Sequence, residues 1–431
     1  MITSAMASAH VLSPDAALAR VSSGQRVYIG GGCGVPTALL EALVARAPAL
    51  HNVEIIHMLT AGDDPTAAPE YRNAFRHNAL FIGPNVRRAV QDGRADFTPI
   101  FLSEIPHLFR SGLLPIDIAL IQVAPPDQHG FCSLGVEVGC TLTAAQLAHT
   151  VIAEINTRMP RTLGDSFIHL SHLTACIETD RPLCEAPMGE CSPVAERIGQ
   201  QIAELIPDGA TLQLGIGAIP DAVLRSLRHK RHLGIHSELF SDGIIDLVEA
   251  GVINGEAKTI HPGKLVAGFV LGTRRLFEWV HNNAMVELHP TEYVNDPFVI
   301  AQHRRMVAIN SALQVDLTGQ VCADSLGPQL YSGAGGQIDF IRGAARAEAG
   351  LPIIALPATA KDGTRSRIVA MLDMGSGVVT SRYDVHTVVT EYGVAELYGR
   401  TLAQRVRALI AIAHPAFRDN LTEAAQRLHY L

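Results

Sequence analysis

Two similar open α/β domains with mostly parallel sheets are what this sequence predicts, and three observations lead there. A strand, a glycine-rich loop and a helix recur in the same order in the two halves. Short continuous apolar segments alternate with helical ones. The composition, with 37 Gly but only 13 Phe, 8 Tyr and 1 Trp in 431 residues, is that of a layered α/β chain rather than a β-sandwich.

The first copy of the repeat reads Gly24-Gln-Arg-Val-Tyr-Ile-Gly30-Gly-Gly-Cys-Gly34-Val-Pro36, followed by a helical Thr37 to Leu43. The second reads Gly209-Ala-Thr-Leu-Gln-Leu-Gly215-Ile-Gly217-Ala-Ile-Pro220, followed by Asp221 to Leu227. In each, β-branched and apolar residues make a buried strand, glycine lets the chain turn sharply, and proline falls in the first helical turn, where no amide donor is missed. Between the copies lies Arg181 to Pro193, a Pro-rich stretch without period that reads as a linker, with a helix from Val194 to Leu205 opening the second domain. The expected division is 1–190 and 191–431. Ile116–Val123, Ile353–Leu356 and His386–Thr390 are short and apolar, as strands covered on both faces are.

Charge and cysteine usage exclude other classes. A hydrophobic content of 48% with 18% charged residues means a compact chain, and a net charge of −8 argues against a nucleic-acid partner. The basic run Arg225 to Arg231 reads first as a solvated helix end. Seven scattered cysteines without a C-x-x-C pair fit a reducing compartment, so a cytoplasmic location is expected. Met1 to Ser8 contains no Lys or Arg, so no signal peptide is expected, and Leu265 to Leu271 falls far short of the roughly 20 residues that span a bilayer.

Two segments carry the candidate chemistry. A strand entering Gly215-Ile-Gly217-Ala-Ile219 and then a helix can aim backbone amides at an anionic oxygen, or can be only a tight turn. Downstream, His236-Ser-Glu238-Leu-Phe-Ser-Asp-Gly243 places a carboxylate at the carboxyl end of a strand, where open α/β sheets hold ligands. The alternative is a helix cap, with Ser237 or Ser241 as the capping residue. A dinucleotide site is disfavoured, because Pro220 stands where that fingerprint needs its third glycine.

With these segments the sequence resembles the acetyl-CoA hydrolase and transferase family of class I CoA-transferases along nearly its whole length. Further matching segments are Phe81 to Arg87, Pro126 to Gly130, Tyr331 to Ala344 and Thr390 to Leu397. The resemblance implies the class I CoA-transferase fold, with Glu238 as the catalytic glutamate. It implies Gly215, Ile216, Gly217, Ala218 and Ile219 as the oxyanion and CoA loop, and Gly333, Gly335 and Gly336 as a second glycine segment. Lys361 matches a CoA-contacting lysine, although a surface lysine is equally compatible. The implied partners are an acyl-CoA and a small carboxylic acid, of the 4-hydroxybutyrate, butyrate, succinate or itaconate type, and a homo-oligomer is implied as well. An acyl-CoA hydrolase and a non-catalytic CoA-binding module are the alternatives.

No cofactor beyond coenzyme A as substrate is expected, and no metal. His169 and His172 are spaced three apart, but no H-E-x-x-H or C-x-x-C accompanies them.

Overall fold

The computed structural model describes residues 10–189, 191–360 and 363–431. Packing divides the chain into two units, 1–187 with 266–294, and 188–265 with 295–431.

The first unit is built on an eight-stranded sheet. Its strands are β1 (His10–Val11), β2 (Arg26–Ile29), β3 (Val53–His57), β4 (Phe75–Ala79), β5 (Asp96–Phe97), β6 (Ile118–Val123), β7 (Thr150–Asn156) and β8 (Ala175–Thr179), in the order β1-β8-β7-β6-β2-β3-β4-β5. Every neighbouring pair is parallel. All six residues of β6 are buried, the consequence of helices and loops covering both faces of a parallel sheet. The first repeat copy forms β2 and α1 (Thr37–Ala45), which buries Leu39, Leu40 and Leu43 in the core beside Val27 and Ile29.

In the second unit α2 (Pro193–Leu205) begins at Ser192, whose hydroxyl accepts from the Ala195 amide, with proline at the first helical position. The second repeat copy forms β9 (Thr211–Leu214) and α3 (Ala218–Ser226). The sheet within this unit runs β14-β13-β12-β11-β9-β10, adding β10 (Gly234–Phe240), β11 (Met306–Ser311), β12 (Leu351–Ala355), β13 (Thr387–Thr390) and β14 (Gly393–Glu396). All these pairs are parallel except β13 with β14. The two copies therefore occupy corresponding places, β2 between β6 and β3, and β9 between β11 and β10.

The division departs from the expected boundary in one excursion. Residues 266–294 pack with the first unit, because Val270 donates its amide to Val136 and Val138 donates to Gly268. A linker composition marks where the chain passes between cores, and carries no sign of a later segment returning. In the last turn of α3 and just beyond it, Arg225, Arg228, His229 and Arg231 are exposed, in keeping with a solvated helix end. Among the described residues no helix is long and apolar enough to cross a membrane.

Candidate active site

The site begins with a slip between two strands. β10 pairs in register with β9 at Thr211 with Gly234 and Leu212 with Ile235, after which Leu214 stands opposite Leu239. β10 thus contains extra residues there, which bends the strand and re-aims its side chains. The hydroxyl of Ser237 fills the interrupted ladder, accepting from the Leu214 amide at 3.2 Å and donating to the Leu214 carbonyl at 3.0 Å. Ser237 is buried, so these bonds satisfy two backbone groups that would otherwise lie orphaned.

Glu238, next in the chain, is half-buried, and its Oε2 accepts the backbone amide of Gly336 at 3.0 Å. Gly336 is the N-terminal capping residue of α5 (Gln337–Arg346), counting α4 as Gly243–Glu249, so the carboxylate lies at the positive end of a ten-residue helix. A Cβ on Gly336 would collide with both the Glu238 carboxylate and the Asn295 side-chain amide. Glycine is required here by close approach. Burial pushes the Glu238 carboxyl up from 4.5 to about 7, against the pull of the Gly336 amide and the Asn295 side chain.

A carboxyl group held near neutrality in this way can ionise at physiological pH, yet is poorly solvated and so reactive. The alternative reading of the segment as a cap for its own helix does not hold. Asp242, rather than Ser237 or Ser241, is the capping residue of α4, and it makes no side-chain capping bond there. Glu238 caps a helix nearly a hundred residues downstream instead.

Of the sequence-predicted residues, Gly336 is brought directly to Glu238, and Gly333 and Gly335 lead into it, Gly335 with φ of +53°. Gly215 to Ile219 leaves β9 at Leu214, the residue that Ser237 grips, and enters α3 at Ala218. Gly217 has φ of +111° and caps α3, a conformation closed to other residues without strain, and Ile216 is 51% exposed. Lys361 lies outside the described residues. Among the described residues, His169 and His172 do not gather with other ligand groups. The ring of His169 bonds Ser171 and the His129 carbonyl, and His172 is exposed.

Sequence reasoning missed one contributor and gave another a different role. Asn295 is fully buried beside Glu238 and sits in no motif that announces a role, whereas Ser237, inside the candidate segment but read there only as a possible cap, positions Glu238 through its bonds to Leu214. Separately, within the first unit, the Glu137 carboxylate accepts from the Gly31 amide of the first glycine loop and from the Thr141 hydroxyl. Burial raises the Glu137 carboxyl to about 7 as well.

Residues 8–185 match the acetyl-CoA hydrolase/transferase N-terminal domain, and residues 272–425 match the acetyl-CoA hydrolase/transferase C-terminal domain. The chain belongs to the acetyl-CoA hydrolase/transferase family.

Within this family it is 51% identical to the 4-hydroxybutyrate coenzyme A transferase of Clostridium kluyveri, over 95% of this chain and 96% of that one. Among solved structures it is similar to the 4-hydroxybutyrate CoA-transferase of Porphyromonas gingivalis, with 42% identity, a TM-score of 0.85, and coverage of 97% and 98%. It is also similar to RipA from Yersinia pestis, with 35% identity, a TM-score of 0.93, and 98% of both chains covered. The expected class I CoA-transferase fold is therefore the observed fold, as the family assignment requires.

Proposed function

We propose that this member of the family is a CoA-transferase that moves CoA between an acyl-CoA and a small carboxylic acid, with Glu238 as the group that becomes covalently attached. The observation that carries the reading is the Glu238 carboxylate, held at about 7 and bonded to the Gly336 amide at the start of α5. The relatives named for 4-hydroxybutyrate make that acid the first acceptor to test.

The ionised carboxylate attacks the acyl-CoA carbonyl, giving a mixed anhydride and CoA thiolate. The thiolate then attacks the glutamyl carbonyl, releasing the first acid and leaving a glutamyl-CoA thioester. The acceptor carboxylate attacks that thioester, and the expelled thiolate takes the acceptor's acyl carbon, which returns Glu238 as a carboxylate. The steps balance without a net proton or electron, so no net acid, base or redox cofactor is called for. Each tetrahedral intermediate places charge on an oxygen, and the amides of Gly215 to Ala218 and Gly333 to Gly336 supply donors for it, each of a kind worth about 3 kcal/mol of barrier. Lys361 is proposed as a contact for CoA. The free thiols of all seven cysteines support a reducing, cytoplasmic setting, and a symmetric homo-oligomer is the assembly proposed.

The test is incubation with acetyl-CoA and a panel of acids headed by 4-hydroxybutyrate, followed by borohydride treatment and peptide mass spectrometry. New acyl-CoA together with a reduced Glu238 side chain supports the reading. Free CoA without new acyl-CoA makes the protein a hydrolase, and binding of CoA with neither product nor modification reduces it to a binding module.

A further inference from the structure

We propose that the first unit binds one divalent transition-metal ion, of the zinc class, through His57, His77 and Asp64. None of these residues belongs to the site built around Glu238, and the proposal is independent of the transfer chemistry.

The sheet register brings the histidines together. β3 and β4 are parallel neighbours in which Ile55 stands opposite His77 and His57 opposite Ala79. Side chains alternate faces along a strand, so His57 and His77 lie diagonally on one face. Their rings meet edge to face with centroids 5.2 Å apart, and they are 1% and 2% exposed. Asp64 arrives from the loop after β3, where it caps the single turn Pro65–Ala67. Its side chain is only 4% exposed, and its Oδ2 lies 3.9 Å from His77 Nδ1. One ligand atom from each of the three groups lies within 4.8 Å of the others, so modest side-chain movement closes them onto one ion.

Hydrogen bonding fixes which atoms are free to ligate. Thr66 Oγ1 donates to Asp64 Oδ1 at 2.6 Å and therefore accepts from His77 Nε2 at 2.9 Å. That assigns the proton of His77 to Nε2 and leaves a lone pair on Nδ1, which is buried with no hydrogen-bond partner. Both ring nitrogens of His57 are likewise buried with no partner at full hydrogen-bond geometry, and the Met58 backbone acts on the ring, so one nitrogen can keep its proton while the other offers a lone pair. Unpaired buried polar atoms are unfavourable unless something meets them, and an ion meets these lone pairs while the Asp64 charge offsets its own. Two imidazoles and one carboxylate suit zinc-class ions rather than magnesium or calcium, and leave a fourth position for water. Thr66 orients two ligands at once, as groups behind metal ligands do.

The ion would anchor the segment that clasps the first glycine loop, since Gly32 bonds Leu59 and Ala61 bonds Gly32. The experiment uses full-length protein stripped with a chelator and titrated with Co2+, read by visible absorption and equilibrium dialysis, with Zn2+ as competitor. One ion per chain is expected, displaced by Zn2+, with a spectrum of nitrogen and oxygen ligands and no thiolate charge-transfer band. Thr66→Val should weaken binding by about ten- to a hundredfold. His57→Gln should abolish it, and so should Asp64→Asn, a change of one atom that tests the site if the first variant misfolds. Absence of stoichiometric binding, a thiolate band, or wild-type affinity in folded Asp64→Asn overturns the proposal.

Discussion

The backbone amide of Gly336 donates to Oε2 of Glu238 at 3.0 Å, joining the start of a helix to a strand residue 98 positions earlier. The same glycine leaves no room for a side chain between that carboxylate and Asn295. Position, charge and steric access at Glu238 are therefore set by one backbone unit, and each can be perturbed separately.

Glu238→Gln keeps the size and the Gly336 contact while removing the nucleophilic oxygen. CoA exchange between acetyl-CoA and a labelled acid should fall by roughly 10^4-fold or more, with the fold intact by circular dichroism. Exchange at the parental rate, in protein shown by mass spectrometry to be free of deamidation, sinks the covalent mechanism.

Gly336→Ala drives a methyl group into Glu238 and Asn295. The carboxylate must shift, and kcat should drop by about 10^2-fold or more because positioned donors and nucleophiles tolerate little displacement. A steady-state comparison with parent enzyme that finds kcat unchanged would show that this approach does not matter.

Ser237→Ala strips both bonds from Leu214 in the bent part of β10. Leaving buried backbone groups without partners costs about 1–3 kcal/mol, to be read from urea unfolding midpoints at unchanged m-value. Activity should fall alongside stability, since Glu238 is the next residue.

Much of this was legible in the sequence, for identifiable reasons. The repeated strand and glycine loop encode local backbone requirements, so β2 with α1 and β9 with α3 lie where composition placed them. The segment around Glu238 stands out in the sequence because it is contiguous. Asn295 was not, since it reaches the carboxylate only through tertiary folding. The same holds for His57, Asp64 and His77, whose spacing matches no ligand motif and whose proximity arises from strand register. The excursion of residues 266–294 was hidden too, because backbone pairing with Val136 and Val138 leaves no compositional trace.

Titration gives a paired prediction. Glu238 at about 7 must ionise to attack, so kcat/KM for acyl-CoA should rise tenfold per pH unit below about 7 and level off above it. Stability should move the other way. Glu137 ionises at about 7 in the folded protein against an ordinary 4.5, so the folded state holds a proton the unfolded chain has released. Its contribution is full below about 4.5 and is lost as pH rises through about 7, by at most roughly 3 kcal/mol. Urea unfolding across that window should show the decline, to which Glu238 adds in the same direction, and Glu137→Gln should make it shallower by the share that Glu137 contributes.

On the proposed chemistry, the amino end of α5 changes client during each turnover. Acylation turns Glu238 from an anion into a neutral ester-like group, and the Gly336 amide loses the negative partner it had at rest. That donor is then released to whichever oxygen gathers charge next, so the resting enzyme stores its own stabiliser by keeping it occupied.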